Sequence, residues 1–247
     1  MSGHSKWSTI KRKKGAADAK RGAVFTRLAN LISVTAREGG GDPGMNVQLR
    51  MAIDQARAEN MPNANVERAI KRGTSELAGQ RPPESVTYEA YGPGGVALLV
   101  DCLTDNKNRT VSDVRAAVTK RGGSLGESGS VAYLFDEKGI LKVGADADED
   151  ELTLAAADAG ATDVAAADGA YEVETGRQDL AKVRDALTTA GFPVQGAELA
   201  KVPKSEVPVN DRKTAEAVVA LVTDLESLDD VSDVSTNADI EPELVGG

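Results

Sequence analysis

Eight basic side chains, Lys6, Lys11, Arg12, Lys13, Lys14, Lys20, Arg21 and Arg27, fall within the first 27 residues against a single acid, Asp18. Cations at this density neutralise phosphate, and Trp7 and Ile10 inside the run give it an apolar component that a plain solubility tail lacks. Trp7 has two uses open to it: stacking on a base, or packing the basic run onto the helix that follows. Arg50, Arg57, Arg68, Lys71 and Arg72 extend the positive set along the next two predicted helices. Together these residues form the candidate nucleic-acid-binding set. A second candidate is the loop Thr104-Asp105-Asn106-Lys107-Asn108-Arg109-Thr110, between a predicted buried strand and a helix start. Free N–H groups there suit an anion, with Asn106, Asn108, Arg109 and Thr110 as the contacts. The same residue types also cap helices and shape turns, and both readings stand.

Catalytic chemistry has little to work with. One cysteine (Cys102) and one histidine (His4) exclude a disulfide framework and the usual Cys/His zinc sites, and leave no His-based triad. Cys102, in an apolar stretch, reads as a small core residue. Acidic clusters at Asp146 with 148–151 and at 224–233 contain the ligand type for Mg²⁺, but the first opens a helix and the second follows one, so both read as solvated ends. Gly39-Gly40-Gly41-Asp42-Pro43-Gly44 fits G-x-G-x-x-G, yet it follows a helix and contains Pro43, so it reads as a turn between helices. No cofactor, metal or catalytic residue is expected.

The charge is divided along the chain. Residues 1–81 hold 15 Lys and Arg against 7 Asp and Glu, a net of +8; residues 82–247 hold 14 against 32, a net of −18. No apolar run approaches the roughly 18 residues a membrane span requires. The basic start lacks the apolar core of a secretory signal, so a cytoplasmic location without membrane attachment is expected.

These residues need elements to hold them. The spacing of Val24, Leu28, Leu31 and Thr35 predicts a helix from about Ala16 to the glycines at 39–41. A second helix is predicted from about Asn46 to Asn60, and a third from Pro62 to Gly73. Gly79–Glu84 reads as a linker. Strands follow at 86–91 and 96–103, then a helix at 110–121 with Thr110 and Asp113 as a capping box, and a strand at 131–135. From residue 136 the pattern is β-α-β-β-α-β, the order of a ferredoxin-like unit. A helix at 212–225 and a strand-like alternation at 231–240 cannot bury their apolar sides alone. The expected class is therefore α+β and multidomain: a basic helical domain (1–81), a discontinuous α/β domain (84–135 plus 206–247) and an inserted α/β domain (136–205), both α/β domains ferredoxin-like.

The ordered motifs Gly3-His4-Ser5-Lys6-Trp7, Asn60-Met61-Pro62, Ile70-Lys71-Arg72-Gly73, Tyr91-Gly92-Pro93-Gly94-Gly95, Leu103-Thr104-Asp105-Asn106-Lys107-Asn108-Arg109-Thr110 and Gly122-Gly123-Ser124-Leu125-Gly126 resemble the YebC/PmpR family over nearly the whole chain. The resemblance implies a helical N-terminal domain followed by two α/β domains. It also implies a non-enzymatic function: bacterial members are called DNA-binding transcriptional regulators, and organellar relatives are described as translational activators. A DNA-binding transcriptional regulator is the leading expectation, with a ribosome-associated translation factor binding ribosomal RNA as the alternative. A metal-dependent nuclease rests only on the acidic clusters. The acidic domains are expected to contact other proteins or the ribosome.

Overall fold

The computed structural model describes residues 21–75, 82–167 and 169–245. Helices α1 (Arg21–Gly39), α2 (Val47–Ala58) and α3 (Asn63–Gly73) open the described chain. One side chain makes the first turn. Asn46 caps α2 by accepting from Leu49 N (3.1 Å), while its amide donates to the Thr35 and Gly40 carbonyls at 2.8 and 2.9 Å. Orphan groups at the end of one helix and the start of the next are thus met by a single buried residue. A Cβ on Gly39 would lie 2.6 Å from that amide, which explains a glycine there. Asn60, in the left-handed region at φ 61°, ends the next turn before Pro62.

Leu28, Ile32, Leu49, Ile53, Met61 and Val66 pack as the centre of one core. The predicted apolar stripe of α1 accounts for this face. Ser33, Val34 and Thr35 are buried as well: the Ser33 hydroxyl donates to the Ala69 carbonyl of α3 at 2.8 Å, and α1 also lies against the first sheet.

That sheet has the order β3-β1-β2-β9, built from β1 (Glu84–Tyr91), β2 (Ala97–Thr104), β3 (Ser124–Leu125) and β9 (Val231–Thr236), all antiparallel. Helix α4 (Lys107–Lys120) follows β2, and α7 (Arg212–Glu226) precedes β9. The hairpin register runs from Glu84↔Thr104 to Tyr91↔Ala97. All of β2 except Asp101 is buried, so both of its faces are covered.

The second sheet, β5-β6-β4-β7, contains β4 (Phe135–Gly144), β5 (Ala161–Ala167), β6 (Ala170–Gly176) and β7 (Val194–Pro203), with α5 (Glu149–Ala159) and α6 (Leu180–Thr189) as connections. Its chain order is the predicted β-α-β-β-α-β, with the ferredoxin-like strand arrangement; in the first sheet the β1–β2 hairpin holds the two central positions instead. A short parallel pair, β8 (Val207–Val209) with β10 (Ala238–Ile240), completes the strands. Among the described residues one unit holds 21–132 and Lys213–Thr236, and the other holds Tyr133–Arg212 and 237–245.

Two local expectations are corrected. Residues 131–135 do not form the third strand: Ala132–Leu134 is a 3₁₀ turn and Phe135 opens β4. The N–H groups of Val131 and Ala132 are taken by the Glu89 carboxylate rather than by a strand neighbour. Nor does α4 begin at Thr110. Asn106 is its cap, accepting from Arg109 N at 3.2 Å, and Thr110 sits one turn inside, buried and bonded to Asp230.

Candidate nucleic-acid interface

Lys6, Trp7, Lys11, Arg12, Lys13, Lys14 and Lys20 lie outside the described residues, and Arg21 contributes the first described turn of α1. The remaining cations of the set divide by what they touch. Arg27 turns inward, its guanidinium donating to the Glu226 carbonyl at the end of α7. Arg72, in the last turn of α3, donates to Asn30 Oδ1 at 3.0 Å and stands 3.7 Å from Asp105. Arg27 joins α1 to α7, and Arg72 joins α3 to α1 and to the loop after β2.

Arg57 is exposed and 3.7 Å from Asp54, one turn earlier on α2, a pairing of little strength in water. Arg50, Arg68 and Lys71 form no ion pair among the described residues. Arg68 and Lys71 are three residues apart on α3 and share a face, while Arg50 stands seven residues before Arg57 on α2, again one side of a helix. The exposed sides of α2 and α3 therefore carry unneutralised charge. Arg50 is half-buried, and its Nε has no hydrogen-bond partner among the described residues.

The loop after β2 is built differently. Arg109 donates through Nη2 to Asp230 Oδ1 (2.9 Å) and Oδ2 (2.8 Å), and through Nε to Oδ2 (3.2 Å). Asp230 also receives the Thr110 hydroxyl at 2.7 Å and the Thr104 hydroxyl at 3.3 Å. Asn106 is occupied as the cap, and the Asn108 carbonyl accepts the Ser112 hydroxyl at 2.8 Å. The loop is thus tied to the turn between α7 and β9. Asp230 carries this tie, and sequence spacing did not point to it. Lys107, also absent from the candidate set, pairs with Glu84 at 2.7 Å. Around these groups a cleft of about 540 Å³ is lined by Asn30, Arg72, Asp105, Arg109, Asp113 and Asp230 among others. Its mixed charge differs from the open, positive surfaces of α2 and α3.

Burial pushes the Cys102 thiol up to about 12, far from a thiolate at neutral pH. Asp148 caps α5, accepting from Glu151 N at 3.0 Å, and Asp224 pairs with Arg121 at 2.8 Å. Among the described residues no three His, Cys, Asp or Glu side chains are grouped to hold a metal ion, and no helix is long and apolar enough to cross a membrane.

Residues 5–76 match the model of the TACO1/YebC protein N-terminal domain, and residues 83–238 match that of the TACO1/YebC second and third domain. The chain belongs to the TACO1/YebC family. It is 52% identical over 243 residues, 98% of each chain, to a protein of Geobacter sulfurreducens named "probable transcriptional regulatory protein". It is 50% identical to one of the same name from Pelotomaculum thermopropionicum, covering 98% of this chain and all of that one. Among solved structures, that of a conserved hypothetical protein from Aquifex aeolicus aligns at TM-score 0.89 with 44% identity, over 98% of this chain and 99% of that one. The family match extends across both the basic N-terminal part and the α/β part.

Proposed function

We propose that this TACO1/YebC family member is a cytoplasmic, non-enzymatic regulator that binds nucleic acid through its basic N-terminal part, with DNA as the target. The reading rests on one observation: Arg50, Arg68 and Lys71 on α2 and α3, without an ion pair among the described residues, lie in the part of the chain with net charge +8, while the rest carries −18. Phosphate is attracted to the first and repelled by the second within the screening length of about 8 to 10 Å. The name shared by the relatives, "probable transcriptional regulatory protein", agrees with it. In this reading the basic domain is 1–81, a discontinuous domain comprises 84–135 with 206–247, and the inserted domain is 136–205; the acidic parts meet other proteins.

A salt series on the full chain tests it. Each neutralised phosphate contributes a slope of about −0.9 on duplex DNA and about −0.7 on a single strand. Replacing Arg50, Arg68 and Lys71 by Gln should flatten the duplex slope by about 2.7 if all three meet phosphate. A wild-type slope near zero overturns the proposal. Steeper, tighter binding to ribosomal RNA than to duplex DNA selects the translation-factor alternative.

A further inference from the structure

The segment that ends the first unit is held by one side chain. Glu89 lies in β1, opposite Leu99 of β2, and is 8% exposed. Its carboxylate accepts the N–H groups of Gly129 (2.5 Å), Val131 (2.6 Å) and Ala132 (2.8 Å). Its backbone carbonyl accepts Gly126 N at 2.8 Å. Residues 126–132 therefore wrap around Glu89, and Ala132 is the last residue of the unit before the chain enters the second.

The donors converge because the loop is shaped for it. Gly129 adopts φ 86°, a region that L side chains avoid, and in the turn it shapes the N–H groups of residues 129, 131 and 132 meet the carboxylate while that of Ser130 donates to the Glu127 carbonyl. Amides aimed at a common centre form an anion receptor, and here an anion already occupies it. The three N–H donors to the carboxylate are neutral amides, and the Ser130 hydroxyl beside them is neutral as well. What holds the charge is therefore dipole geometry, and residues 129–132 lie in no strand that would pair these groups otherwise.

We propose that residues 126–132 are a backbone anion receptor whose permanent ligand is Glu89, and that this carboxylate latches the segment 126–132 onto β1 within the first unit. Emptied of its ligand, the receptor keeps the donor set for a small carboxylate such as formate.

Hydrogen exchange on full-length Glu89→Ala and Glu89→Gln tests this. The amides of Gly129, Val131 and Ala132 should exchange faster by on the order of tenfold or more, while those of the β1–β2 ladder keep their protection. In Glu89→Ala, sodium formate should restore protection saturably, and sodium chloride at equal ionic strength should not. The Gln variant is the safeguard if the alanine chain fails to fold: it retains the shape and one acceptor oxygen but loses the second. Unchanged loop exchange in the variants overturns the proposal. So does equal acceleration throughout the sheet, which would make Glu89 a residue of the general fold, and so does rescue by chloride as strong as by formate.

Discussion

Arg109 and Asp230, 121 positions apart, meet in a forked ion pair in which Nη2 lies 2.8 Å from Oδ2 and Nε 3.2 Å from the same oxygen. Its two ends are unequal. The arginine side chain is 50% exposed and the aspartate 14%, so the carboxylate is the member that depends on its partners. Two hydroxyls, Thr104 and Thr110, share it. Asp230 is in effect the acceptor around which the end of β2, the start of α4 and the turn before β9 are assembled.

Substitutions on the two sides should therefore differ. Asp230→Ala removes the acceptor shared by Arg109, Thr104 and Thr110 and should lower stability by about 1 to 3 kcal/mol. Arg109→Ala removes one half-exposed partner and should cost no more than about 1 kcal/mol. Urea denaturation of both variants measures the difference, and equal losses would contradict this asymmetry. The salt slope of nucleic-acid binding, measured on Arg109→Ala, reports whether this guanidinium also meets phosphate. With its charge already engaged by Asp230, no change is expected.

Stability should fall in acid for a definable reason. Burial alone would raise the Glu89 carboxyl, but the N–H groups of Val131, Gly129 and Ala132 outweigh it and hold the group below its ordinary value. The Arg121 guanidinium, with help from Lys120, likewise depresses the Asp224 carboxyl. A depressed carboxyl means that the unfolded chain binds more protons, so stability rises with pH through this window. The contribution of each group is complete above its unfolded value, about 4.3 for Glu and 3.9 for Asp, and is lost as pH falls through the lower folded value. Melting temperature followed from pH 6 down to about pH 3 should show this loss, and Glu89→Gln should show a shallower one. Parallel curves for wild type and variant would remove Glu89 from the explanation.

The local signals in the chain were readable where a residue acts within a few positions of itself. Pro62 precedes α3 as its backbone chemistry predicts, and the alternation of strand and helix patterns after residue 136 foretold the second sheet; Gly73 is the last residue of α3 but keeps a helical φ, so close packing on α1 and not a left-handed stop explains it. Signals set by distant partners were not. Thr110 and Asp113 have capping-box spacing, yet Asn106 takes the cap because the Thr110 hydroxyl is engaged by Asp230. Val131 to Phe135 has strand character, but a carboxylate about forty positions earlier claims its amides. Arg27 and Arg72 match the exposed arginines in type, and only the fold separates them, through Glu226 and Asn30.

Close helix packing gives a sharper mutational test. A Cβ on Gly73 would stand 2.2 Å from the Ser33 carbonyl oxygen and 2.9 Å from the Ala36 Cβ, so backbone atoms of α1 block it. Overpacking of this kind costs about 1 to 3 kcal/mol, and the obstacle here is main chain that cannot rotate away. Gly73→Ala should be destabilising by that amount. Gly196→Ala, where nothing lies within 4 Å of the added carbon, is the control. Thermal melts that place the two variants together would show that α1 and α3 can separate without loss.

Removal of the C-terminal segment should be more severe than any point change. Cutting after residue 205 deletes α7 and β9, and with them the buried side chains Ala215, Val218, Val219, Leu221, Val222, Leu225, Val231 and Val234. Each buried Val or Leu stabilises by about 1.5 to 3 kcal/mol, so the sum equals or exceeds the 5 to 15 kcal/mol by which a domain is typically stable. The loss also uncovers one edge of β2, since β9 is its neighbour on that side, from Leu98↔Thr236 to Cys102↔Val231. An eight-residue strand with an apolar sequence and an open edge is a template for pairing between chains. The 1–205 fragment should therefore aggregate on expression, whereas the full chain stays in solution, and light scattering after purification under identical conditions reads the difference. A soluble fragment that melts cooperatively at the wild-type temperature would mean that the first sheet closes without β9.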